Sequence, residues 1–339
     1  MKNKIIETNE ITNETKSSMR TRIITGVVLA AIAIPCLFLG GWFYFALSVI
    51  IAVFSAYELV HVIGLKSRFK YLIYTASIIL MICFVYWIFI KNNIAAYIKE
   101  PSSFDASKIL VNEFTDLIVS TVLIMVAAGV FFGISFICEE FTVNHVFYLL
   151  SMTIVVGLCL QSLLYLRFSP FERFKDITDT GADLFKYLQS SFLIIYVILG
   201  TISTDIGAYF IGVLFGKHKL NPRISPKKTW EGFFGGWFIS FILSATFALV
   251  LGLINYPALP SLNLNYFYWF LLLSFLMPIF ANLGDFAFSA IKRGFGIKDF
   301  SNLLPGHGGI LDRFDSMLFV SGFVAAMLIF INNGWKIFA

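Results

Sequence analysis

Successive runs of uninterrupted apolar residues, each long enough to cross a bilayer, constrain this chain more than any other feature. A helix rises 1.5 Å per residue and needs ~20 predominantly apolar residues to cross the hydrocarbon core. Residues 23–40, 43–63, 71–90, 117–138, 146–166, 192–215, 233–254 and 266–283 meet that need. A ninth run, 317–331, is short unless it extends back toward Phe314. Hydrocarbon offers no partner to a backbone N–H or C=O, and the runs lack the period-two alternation of barrel strands, so each must be helical. Composition agrees. Of 339 residues, 58% are hydrophobic and 13% charged, against about 25% charged in a soluble domain. The sequence predicts an all-α, polytopic integral membrane bundle of about nine transmembrane helices. It divides into a polar tail (1–22), a first membrane region with two long polar loops (23–190), and a second membrane region holding the chemistry (191–339).

Basic residues orient the bundle. With the N-terminus inside, 17 of the 25 Lys and Arg fall on the cytoplasmic side, as the positive-inside rule requires. Residues 1–22 mix acidic and basic groups, unlike the basic lead of a cleaved signal, so the first run is expected to stay as an anchor. The net charge of +5 is too small and scattered for a nucleic-acid surface. Cys36, Cys83, Cys138 and Cys159 lie inside apolar runs without metal-ligand spacing and read as small buried hydrophobes. Loops 91–116 and 167–190 carry no motif, and Asp176, Asp179 and Asp183 read as a solvated loop face. Internal repeats are lacking.

Polar residues that do not belong in a membrane gather in three places. The first is Asp205, near the middle of the sixth run, with Tyr209 one turn on over the same face. An ionised carboxylate there costs ~3 kcal/mol on insertion scales, so it faces a cavity or a partner. A polar pair fastening two helices is the competing reading. The second is the stretch 216–232, whose five basic residues surround Ser225, Lys227, Lys228 and Thr229. Such a loop can be simple interfacial charge, but Pro222 and Pro226 stiffen it beyond what charge alone requires. The third runs from Asp285 through Ser289, Lys292, Arg293, Lys298 and Asp299 to His307, Gly308, Gly309, Asp312, Arg313, Asp315 and Ser316. On a continuous helix, Asp285, Ser289, Lys292 and Gly296 share one stripe. The glycines at 306, 308 and 309 permit conformations that turn N–H groups into an anion-binding concavity.

These residue types suit a divalent cation and phosphate. Mg²⁺ takes a few hard carboxylate oxygens and fills its remaining positions from phosphates and water. Asp285 and Asp312 fit that duty, with Asp315 on the same acidic turn. Lys292, Arg293, Lys298 and Arg313 can neutralise charge moving onto a leaving group. His307 is the only histidine in the cluster, hence the candidate general base. A phosphate nucleophile needs little help from a base, because its second pKa is ~6.

The run from Ser289-Ala290-Ile291-Lys292-Arg293 through Lys298-Asp299 to Pro305-Gly306-His307-Gly308-Gly309-Ile310-Leu311-Asp312-Arg313-Phe314-Asp315 resembles the signature of the phosphatidate cytidylyltransferases. Asp205, Ala208-Tyr209, Gly216-Lys217 and Ile224–Thr229 also look like that family's blocks, whereas Val213 departs from its pattern. The resemblance covers about the last 140 residues. It implies a multi-pass cell-membrane enzyme that joins CTP and phosphatidate into CDP-diacylglycerol, releases pyrophosphate, and uses Mg²⁺, with a second cation and a homodimer left open. Asp285 and Asp312 would match the metal-binding aspartates. Lys227, Lys228, Lys292, Arg293 and the 307–309 turn would surround the phosphates at the cytoplasmic interface. A CTP-dependent lipid-alcohol kinase and a transporter are the rival readings.

Overall fold

The computed structural model describes residues 13–98, 113–168, 184–254 and 267–332. The tail up to residue 12 and the loop centres 99–112 and 169–183, with Asp176, Asp179 and Asp183, lie outside the described residues.

Among the described residues the order is α1 (Asn13–Leu39), α2 (Gly41–His61), α3 (Lys70–Ile98), α4 (Glu113–Ile137), α5 (Val143–Phe168), α6 (Leu184–Phe215), β1 (Lys219–Asn221), β2 (Ser225–Thr229), α7 (Trp230–Leu253), α8 (Phe267–Gly294) and α9 (Leu311–Asn332). Among the described residues eight helices are long and apolar enough to cross a membrane, and α3 is apolar over Lys70–Tyr86. This is the expected all-α, multi-pass bundle. The ninth run does extend back past Phe314, because α9 starts at Leu311. Helices α8 and α9 run on past their apolar stretches into polar sequence, so the chemistry-bearing residues sit on rigid helix ends. All four cysteines are free thiols.

Two packing devices matter for the site. Helices α6 and α7 approach almost backbone to backbone. A Cβ on Gly236 would lie 2.5 Å from the Thr204 carbonyl oxygen, so only glycine fits. Ser240 Oγ donates across the pair to the Gly200 carbonyl at 2.6 Å. Small residues and interhelical hydrogen bonds are how helices associate where lipid tails are as apolar as leucine. The second device anchors α1 at two points. Arg167, fully buried, donates through Nε to the Leu37 carbonyl at 2.8 Å, placing a cation on the carbonyl end of the helix. Near the middle of the helix Thr25 Oγ1 donates to the Pro305 carbonyl at 3.0 Å. Between these anchors residues 30–35 are exposed all round.

The basic stretch between α6 and α7 is not a plain loop. It folds as an antiparallel hairpin with Lys219 opposite Thr229 and Asn221 opposite Ser225. Asn221 Oδ1 accepts from the Arg223 N–H at 3.2 Å, the side-chain turn that Asn makes readily. Both Glu231 oxygens accept from the His218 backbone N–H at 3.2 Å, and the two side chains meet at 2.6 Å. Thr229 Oγ1 accepts from the Gly232 N–H at 3.2 Å and caps α7.

Candidate active site

The site is built where α6, α8, α9 and the hairpin meet. Helix α8 passes through Asp285 as expected, and Ser289 Oγ donates to Asp285 Oδ1 one turn away at 3.1 Å. The stripe stops at Lys292. Gly296, expected on it, instead ends the helix: at φ 68° it lets the Ile297 N–H reach the Lys292 carbonyl at 2.9 Å. That is a glycine C-cap, which needs the left-handed conformation.

The hairpin decides which lysine of the Lys227-Lys228 pair enters. Successive strand residues point to opposite faces. Lys227 is exposed, whereas Lys228 turns inward, ion-pairs with Asp285 and lies 4.5 Å above the Phe286 ring. Its Nζ is buried and faces the carboxylate without an aligned hydrogen bond. Ser225 begins the same strand, half-buried.

Three carboxylates from three helices, Asp205 on α6, Asp285 on α8 and Asp315 on α9, lie within Coulomb range of one another. Lys228 acts on Asp205, and Lys292 on Asp315. The close fit of α8 on α9 brings this about: a Cβ on Gly284 would lie 2.7 Å from the Asp315 carbonyl oxygen. Asp315 Oδ1 accepts from the Ser316 N–H at 2.7 Å.

Asp312 has a different setting. Its Oδ1 accepts from Lys292 Nζ at 2.7 Å, with the two side chains 3% and 9% exposed. Its Oδ2 accepts from the backbone N–H groups of Phe300 and Gly309, both at 2.9 Å. A carboxylate offers about four lone-pair positions, and here the protein fills three. Among the described residues no group of three His, Cys, Asp or Glu side chains converges at metal-binding distance.

The Gly-rich turn is likewise occupied. Leu304 and Gly308 close it, with Gly308 at φ 80°. From His307 to Leu311 every backbone N–H donates within the protein, to the Leu304 carbonyl, to Asp312 or to Glu58. The concavity expected for a phosphate is therefore filled by the protein's own acceptors. His307 does not face the carboxylates: its ring packs toward Gly26 on α1, 3.8 Å from where a Cβ would stand there, and its Nδ1 is buried without a partner. Arg293 donates to the Ile297 carbonyl and Arg313 to the His307 carbonyl, at 2.7 and 2.8 Å, and Lys298 is exposed. Tyr209, 68% exposed, meets the Phe210 ring rather than the carboxylates.

A sequence profile described as the Cytidylyltransferase family matches residues 20–331. The chain belongs to the cytidylyltransferase family. The match includes the first five helices, where hydropathy was the only sequence guide. Among its relatives, a phosphatidate cytidylyltransferase of Bacillus subtilis (strain 168) is 31% identical over 310 residues, 91% of this chain and 97% of that protein. One of Staphylococcus haemolyticus (strain JCSC1435) is 30% identical over 321 residues, 92% of this chain and 99% of that protein. One of Staphylococcus epidermidis (strain ATCC 12228 / FDA PCI 1200) is 40% identical over 172 residues, half of this chain.

One site-shaping residue escaped the sequence reading. Glu58, on α2, is fully buried beneath the start of α9. A carboxylate inside an apolar run is costly enough to signal a partner, and that signal was available.

Proposed function

We propose that this chain transfers a cytidylyl group from CTP to phosphatidate, giving CDP-diacylglycerol and pyrophosphate in phospholipid biosynthesis. Full-length similarity to phosphatidate cytidylyltransferases supports the substrates. The observation that carries the chemistry is that Asp205, Asp285 and Asp315 lie within electrostatic reach of one another beside Lys228 and Lys292, at the end of the bundle that bears the basic hairpin. The positive-inside bias supports a cytoplasmic placement of that end, where CTP is dissolved and a lipid headgroup is within reach.

In this reading an oxygen of the phosphatidate phosphate attacks the α-phosphorus of CTP in line. The new P–O bond forms as the bond to the β-phosphate's bridging oxygen breaks, and that electron pair leaves with pyrophosphate. The nucleophile is already largely ionised at neutral pH, with a second pKa of ~6, so no side chain has to remove a proton. This suits a site whose only nearby histidine points at α1. The residues' task is positioning and charge compensation. Lys228 and Lys292 meet charge inside the site, while Lys227, Arg293, Lys298 and Arg313 line its rim.

The donor set fits Mg²⁺. Four aspartates, 205, 285, 312 and 315, face two buried ammonium groups, 228 and 292, and a divalent cation balances the remainder. Asp285 and Asp315 would hold it with substrate phosphates completing its shell, as is usual for Mg²⁺, and Asp205 is free for a second cation. When bound, the ion supplies electrostatic stabilisation of the transferring phosphoryl group. Asp312, with three of its positions taken, is the structural partner of Lys292.

The test uses purified protein, phosphatidate, MgCl₂ and CTP labelled at the α-phosphate. Label should move into the organic extract as CDP-diacylglycerol. A kinase would leave the α-label in the aqueous phase and transfer only γ-label, and that result would overturn the assignment.

A further inference from the structure

Glu58 lies in the membrane region remote in sequence from the signature, yet it makes three contacts with the catalytic end. Its Oε1 accepts from Ser301 Oγ and from the Ile310 N–H, both at 2.7 Å, and its Oε2 accepts from the Leu311 N–H at 2.8 Å. The residue has no solvent exposure. The first N–H groups of a helix have no partner within it, and with the helix dipole they form an anion site. In α9 that site is filled by an internal carboxylate. A Cβ on Gly309 would stand 2.6 Å from Glu58 Oε1, so the turn closes onto Glu58 without room for a side chain. Ser301 directly follows Phe300, whose N–H binds Asp312, and the whole 301–311 connection is pinned at its two ends by one side chain.

We infer that Glu58 is a positioning residue for the transfer reaction: from α2 it locks the 301–311 connection and the start of α9, and so sets where Asp312 and Asp315 stand relative to Lys292 and Asp285. The inference rests on the function proposed above. It makes the first half of the chain part of the active site, through a contact that hydropathy does not encode. The carboxylate is needed for its two acceptor oxygens. Glutamine is isosteric but offers one oxygen and an NH₂ group, which would face a backbone N–H donor to donor. Aspartate keeps the charge but is one methylene too short.

The test compares wild type, Glu58→Gln, Glu58→Asp and the milder Ser301→Ala as full-length proteins in detergent micelles, with two readouts. The first is transfer activity against MgCl₂ concentration. E58Q and E58D should lose at least 50-fold in kcat, and their half-saturating Mg²⁺ concentration should rise at least fivefold. A smaller folded fraction cannot move that concentration. The second readout is the rate of trypsin cleavage after Lys298, exposed just before the connection, which should rise at least tenfold in E58Q whether or not the enzyme turns over. Isosteric E58Q within twofold of wild type in both readouts would overturn the inference, as would a lower kcat with unchanged Mg²⁺ dependence and unchanged cleavage. If E58Q does not fold, S301A decides: a twofold or greater rise in half-saturating Mg²⁺ supports the role and no change overturns it. If wild type forms no CDP-lipid, the functional reading fails by itself, and cleavage after Lys298 alone decides whether Glu58 locks the connection.

Discussion

Two sets of carboxylates lie at the same end of this bundle and are treated in opposite ways, one buried and the other half-buried to exposed. Glu58 and Asp312 are each held by three protein donors: between them they accept five backbone or hydroxyl hydrogen bonds and one ammonium. Asp205, Asp285 and Asp315 face one another across three helices with Lys228 and Lys292 as their nearby cations. A carboxylate whose lone pairs are filled by protein donors holds the fold in place and has little left for a ligand. Carboxylates left to repel one another store unfavourable electrostatics that a divalent cation relieves. Chemical identity does not separate the two sets, but the donors around them do.

The sharpest way to break this contrast is Asp285→Asn, which removes a ligand-side charge without emptying any backbone donor. Transfer should fall about 10³-fold, the loss typical of a main transition-state electrostatic contact, while the thermal midpoint in detergent falls less than in Asp312→Asn, because the Lys228–Asp285 pair is partly exposed and the Lys292–Asp312 pair is buried. A large drop in midpoint would place Asp285 with the structural set. Asp312→Asn should behave differently. Removing one partner of a buried ion pair costs about 3 kcal/mol or more, so the midpoint should fall together with activity. Adding Lys292→Met should restore stability but not transfer, and recovery of transfer would show that the pair acts only in folding. Strand alternation offers a finer cut: Lys228→Met should reduce kcat about 10²-fold and Lys227→Met by under a tenth of that factor, measured in the same CTP assay. Equal losses would mean that both side chains reach the substrate. The smallest effect belongs to a purely structural cap: Thr229→Ala should cost about 1 kcal/mol in chemical unfolding, with a KM for CTP close to wild type.

Much of the architecture was legible because the bilayer leaves few alternatives. Helix existence, helix type and the backward extension of α9 follow from apolar length and backbone satisfaction. The Asp285–Ser289 contact follows from helical periodicity alone. Less legible was anything that depended on which acceptor a donor meets. The Gly308-Gly309 turn has the composition of a phosphate cradle, yet Glu58 arrives from α2 to take its N–H groups. His307 has the chemistry of a base, yet the approach of α1 at Gly26 draws its ring aside. Gly296 matched the stripe by spacing, yet the chain needed a left-handed residue there to end α8.

From the sequence alone came the membrane class, the helical fold, the side on which positive charge collects, and the candidate residues for phosphate and a hard cation. Each follows from local composition or from spacing along one helix. The tertiary structure alone decided which of those residues are free. That assignment depends on contacts between segments as far apart as Glu58 and Leu311, and no pattern within either segment determines how a shared donor is divided.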